Sequence, residues 1–304
     1  NVKLSNHTFG VSDQHQSTPK VVETILELVI QYINHATTIA KTQTNPSGSS
    51  RAVEPVTTQA IGMMFFGLRG LSSDHEIVRK LLTSMTSYFS TIQDSSGIDG
   101  ADGFTGLFSI RDLGKVFHGL QGMHSHHIEV RELMGVLTPV ISRIRPEDQS
   151  YIYYGLQNMS GNHKVVRDWL DIINKYVGNY TGTLWMDQVA ESLYGLRKLT
   201  NGTDYDGMGT HGGGDIGVDA NVDVDVDGVI VSVGSYNPSV RNALATVSNV
   251  LSENTKNLSW TRSADVSYLM FGFQYMSTDC VEVRNLIKAV TPLVAALDVK
   301  TKPF

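Results

Sequence analysis

The chain has 304 residues, of which 41% are hydrophobic and 18% charged, with a net charge of −6 and one cysteine, Cys280. This composition is globular and excludes an internal disulfide. No apolar run approaches the roughly 18 residues that cross a bilayer, so no membrane insertion is expected. The acidic balance disfavours polyphosphate ligands such as RNA unless Lys and Arg gather on one face.

In chain order, the first recognisable unit spans about residues 1–40. Phe9-Gly10-Val11 precedes an amphipathic run from Val21 to Ile33, as if the chain began inside a first helix. After a separating segment from Lys41 to Pro55, the unit at 56–93 carries Phe66-Gly67-Leu68-Arg69 and then Val78-Arg79. The same wording returns at 110–145 (His118-Gly119-Leu120-Gln121, Val130-Arg131) and at 146–179 (Tyr154-Gly155-Leu156-Gln157, Val166-Arg167). It returns again at 184–254 (Tyr194-Gly195-Leu196-Arg197, Val240-Arg241) and at 261–298 (Phe271-Gly272-Phe273-Gln274, Val283-Arg284).

The uninterrupted unit at 146–179 shows the local logic. Pro146, Glu147 and Asp148 suit a helix start, and Ile152, Tyr153, Leu156 and Met159 follow at helical spacing. Ser160-Gly161-Asn162 breaks the pattern, and a second amphipathic run from Val165 to Val177 ends at Gly178-Asn179. Each unit therefore predicts a helical hairpin. The whole predicts an all-α single array, an α-solenoid of about six such repeats in which each buries its apolar face against its neighbours.

A glycine inside a helix costs about 0.5–1 kcal/mol relative to Ala, so Gly67, Gly119, Gly155, Gly195 and Gly272 imply close approach of a partner helix. The Val-Arg arginines, with acidic neighbours Glu76, Glu129, Asp168 and Glu282, are expected to form ion pairs between repeats or to pack by their stems. Thr138-Pro139 and Thr291-Pro292 should kink or shorten their helices. Cys280, at a helix junction, reads as a packed or half-exposed thiol.

Between about 201 and 238 the pattern stops. Glycines from Gly207 to Gly214 lead into an Asp-Val alternation with a period of two, which predicts a loop or a short β-ribbon turning at Asp227-Gly228. Asp223, Asp225, Asp227, Gly228 and Ile230 also match the first eight positions of a calcium loop, although Gly234 stands where the bidentate Glu belongs. Ca2+ at this insertion is the one cofactor the sequence suggests.

His118, His124, His126 and His127 cluster near one turn, and His126 and His127 with Glu129 are donors of the kind a transition metal takes. Adjacent histidines on a turn usually point apart, so a solvated turn is expected. Sequons begin at Asn6, Asn158, Asn179, Asn201 and Asn257, which makes these candidate glycosylation sites. No nucleophile motif or phosphate loop is recognisable, so no enzyme activity is expected. Two residues after each glycine stands a polar side chain, Arg69, Gln121, Gln157, Arg197 or Gln274, which forms a candidate binding ladder.

The aromatic-Gly-Leu helix, the Ser or Thr break and the Val-Arg helix together resemble the helical-hairpin repeats of algal organelle proteins, notably octotricopeptide-type repeats. The resemblance implies an α-solenoid in an organelle, a plastid or mitochondrion, serving RNA metabolism or an organellar assembly. Three functions are carried forward. The first is a non-enzymatic scaffold that binds protein partners in a larger complex, the second an RNA-binding repeat protein, and the third a secreted structural glycoprotein, suggested by the sequons and a start at Asn1.

Overall fold

A computed structural model describes residues 19–43, 56–95, 108–145, 148–178, 186–197, 199, 237–254, 263–274 and 276–295. Among the described residues there are eleven α-helices and no strands. They are α1 (Lys20–Gln43), α2 (Thr58–Leu68), α3 (Glu76–Ser95), α4 (Ile110–Gly119), α5 (Ile128–Ile141), α6 (Ser150–Gly155), α7 (Lys164–Gly178), α8 (Met186–Leu196), α9 (Pro238–Asn254), α10 (Ser263–Gly272) and α11 (Val281–Ala295). A short 3-10 turn, Leu120–Gly122, follows α4. The expected ribbon and its calcium-loop residues Asp223, Asp225 and Asp227 lie outside the described residues.

The helices contact one another in two series. In the first, α2 packs on α4, α4 on α6, α6 on α8 and α8 on α10; in the second, α1 packs on α3, α3 on α5, α5 on α7, α7 on α9 and α9 on α11. The core runs between the series and holds the largest fully buried side chains, including Trp169, Tyr88, Tyr153, Phe65, Phe89 and Phe117. Local signals agree with this layout. Thr57 caps α2 by accepting from the Ala60 N–H at 3.2 Å, and Ser109 caps α4 by accepting from the Asp112 N–H at 3.2 Å.

The glycines do mark close helix contacts, but the partner is the equivalent helix of the preceding unit rather than the second helix of the same hairpin. A Cβ on Gly119 would lie 2.2 Å from the Phe65 carbonyl oxygen, one on Gly155 would lie 2.4 Å from that of Phe117, and one on Gly195 would lie 1.9 Å from that of Tyr153. A Cβ on Gly272 would instead lie 2.9 Å from the Leu193 Cβ and 3.1 Å from its backbone carbon, whereas Gly67 has nothing within 4 Å. No Cβ can be accommodated where one backbone crosses another at such distances.

In the unit at 146–179, α6 runs from Ser150 to Gly155 and Asp148 pairs with Arg145 at 2.6 Å, while Pro146 and Glu147 lie outside the described residues. Pro139 and Pro292 sit inside α5 and α11, which end two and three residues later. The preceding threonines turn their hydroxyls back on the helix, Thr138 to the Met134 carbonyl at 2.9 Å and Thr291 to the Ile287 carbonyl at 2.8 Å. The Trp169 indole N–H from α7 also reaches Met134 O and Thr138 Oγ1, at 3.2 and 3.0 Å, and so ties the proline-bearing helix to its neighbour.

Candidate functional site: the edge where successive turns meet

Four of the five Val-Arg arginines hold the turn that precedes their own helix. Arg79 donates to the carbonyls of Ser73 and Asp74, both at 2.8 Å, and Arg131 donates to Ser125 and His126 at 2.6 and 2.7 Å. Arg167 bonds Gly161 and Asn162, and Arg284 bonds Thr278 and Asp279. These carbonyls precede the second helix, so one guanidinium fastens the turn to the helix it opens. These bonds lie within a unit, while the expected ion pairs between units form at two of the five arginines. Arg241 is the exception and pairs with Glu282 of the next unit at 2.9 Å. Arg79 adds a looser contact to Glu129 at 3.8 Å.

Neighbouring turns are also bonded to each other. The His124 N–H donates to Ser73 Oγ and the Ser160 N–H to Ser125 Oγ, both at 2.8 Å. Both accepting serines are buried, which makes each a satisfied polar link between units.

Along the first helices, the residues that precede the repeat glycines stack into one column. Phe66 meets His118 at a centroid distance of 5.6 Å, His118 meets Tyr154 at 4.9 Å, Tyr154 meets Tyr194 at 5.4 Å and Tyr194 meets Phe271 at 5.7 Å. All four ring pairs lie within 24° of parallel. Arg69 lies over Phe66 at 4.1 Å and Arg197 over Tyr194 at 3.4 Å. Burial, and then the charge of Arg69, hold the His118 imidazole below its ordinary pKa, and its Nδ1 is buried without a hydrogen-bond partner.

The polar ladder is brought together in part. The Gln121 side chain donates to the Arg69 carbonyl at 2.5 Å, and Asn158 Nδ2 donates to the Gln121 carbonyl at 2.6 Å. Gln157 and Arg197 are buried at 7% and 8% exposure, whereas Arg69 and Gln274 are exposed. Arg69, Ser72, Gln121, His124, Gln157 and Asn158 line a cleft of about 380 Å3. Asn158 therefore presents its amide to the backbone, while the sequons at Asn6, Asn179, Asn201 and Asn257 lie outside the described residues.

The histidine group resolves differently from its sequence reading. His124, His126 and His127 all turn toward Asp74 of the preceding turn, while Glu129 faces Arg79. His118 stands apart from them in the ring column. Burial alone would raise the Asp74 carboxyl; bonds from His127 and Ser72 and the nearby charge of His124 and His127 hold it below the usual range. Cys280 is buried and bonds Glu282 at 2.9 Å. Burial and that carboxylate raise the thiol's pKa, the opposite of what activates a nucleophile.

Sequence reasoning missed two features: the ring column and the role of Asp74. The column was visible as a recurring aromatic or His before each glycine, but ring-on-ring stacking across 36 to 77 residues has no local signature. Comparison with known protein families, curated proteins and solved structures found no match.

Proposed function

We propose that the chain is an α-solenoid of about six helical-hairpin repeats that works as a non-enzymatic scaffold, docking a protein partner on α1. The observation that carries this is a stripe of exposed apolar side chains, Val21, Ile25, Leu28 and Tyr32, each 52% exposed or more. Their spacing of four, three and four follows one side of a helix, while Leu26, Ile33 and Thr37 on the other side are buried. The partner that fits is an amphipathic helix that lays its own apolar face along this stripe.

The test is the mass of the native particle under mild isolation. A stoichiometric complex with a second protein is expected, released by the paired exposed-site variants Ile25→Glu and Leu28→Glu with an unchanged circular dichroism spectrum. A monomer, or a dimer of this chain alone, overturns the scaffold assignment.

RNA binding is the weaker alternative. Gln157 and Arg197 are buried, and the interior rings of the column stack on each other, leaving no open faces for bases. Single-stranded RNA binding that falls steeply with salt would reinstate it. A secreted glycoprotein would show an intact mass above that of the bare polypeptide.

A further inference from the structure

We propose that the junction between the second and third turns is a binding site for a borderline divalent metal ion of the Zn2+ class, with His126, His127 and Asp74 as ligands and His124 beside them. The donor atoms of Asp74, His126 and His127 lie within 4.8 Å of one another. His127 Nε2 is 3.0 Å and His126 Nε2 3.7 Å from Asp74 Oδ1, and His124 Nε2 is 3.8 Å from Asp74 Oδ2. A tetrahedral zinc with bonds of about 2.0–2.1 Å separates its ligand atoms by about 3.4 Å, within the span of these three distances. The two adjacent imidazoles, 3.9 Å apart by centroid, converge on one carboxylate instead of diverging.

The backbone that carries these ligands is fixed independently of them. Arg131 clamps the carbonyl of His126, Arg79 clamps that of Asp74, and the His124 N–H is bonded to Ser73 across the junction. Ser72 Oγ bonds Asp74 Oδ2 at 2.8 Å and orients the carboxylate, the kind of outer contact that positions a metal ligand. Imidazole nitrogen with a single carboxylate suits Zn2+, whereas Ca2+ and Mg2+ take oxygen donors. Because Asp74 comes from one unit and the histidines from the next, the ion would clip the two turns together.

The full chain, stripped with a chelator and desalted, is titrated with Zn2+ by calorimetry and with Co2+ by visible absorption. One equivalent should bind, unaffected by excess Ca2+ or Mg2+. His127→Gln and Asp74→Asn should each weaken it by at least about tenfold. The Asp74 side chain is 59% exposed, so Asp74→Asn carries the test even if the histidine variant misfolds. Absence of stoichiometric binding overturns the site. So does binding that both variants retain, or binding that is lost only when Asp223, Asp225 and Asp227 are changed to Asn.

Discussion

Gly119, Gly155 and Gly195 occupy points where the carbonyl of an adjacent first helix passes within contact of the Cα, and Arg131 and Arg167, which follow the first two, hold the turns. Gly155→Ala would place a methyl 2.4 Å from Phe117 O, so it should destabilise by about 1–3 kcal/mol or more in urea unfolding. Gly67→Ala, with open space around it, should be neutral or stabilising by up to about 1 kcal/mol. Equal losses at the two positions would contradict the crossing as the reason for the glycine. Arg131→Lys keeps the charge but loses the two-pronged reach to Ser125 O and His126 O. It should cost about 1.5–3 kcal/mol, whereas Arg241→Gln should cost less and lose its effect in high salt.

Rows of equivalent helices are joined by side chains that recur once per unit. The five-ring column gives four stacked pairs, each worth about 0.5–1.5 kcal/mol beyond simple burial. His118 is the ring in this column whose ordinary pKa lies near neutrality. Its pKa in the fold lies below 6.5 because burial and Arg69 disfavour the imidazolium, so the unfolded chain takes up the proton first as pH falls. Its contribution to stability should be complete above about 6.5 and decline as pH drops below that value. His118→Phe, which keeps the stack, should flatten the pH 5–7.5 stability profile relative to wild type; parallel profiles would refute this. Helix identity was legible from apolar spacing, as in Val166, Trp169, Leu170 and Ile173. The pairing of Asp148 with Arg145 was not, because residue preference reads Asp148 only as a helix-start residue.

Among the described residues, most helix contacts run between neighbours within each series, with α8 also touching α9 across them, so stability should be distributed rather than held in one centre. Amide exchange should be slowest in α4, α5 and α7, which have neighbours on both sides, and faster in α1 and α11; uniform protection would argue against neighbour-only coupling. The repeated words pointed to the all-helical class and singled out the glycines and arginines. They did so because apolar period and glycine cost are local properties, set within a few residues. What the glycine faces, whether the arginine grips its own turn or the next, and that His126 and His127 meet Asp74 rather than Glu129 depended on the tertiary structure. The serine and Asp74 contacts join residues some 35 to 55 positions apart, beyond any local window of sequence, whereas each turn-holding arginine reaches carbonyls only five or six positions before it and its choice of partner was settled by how the turn folds.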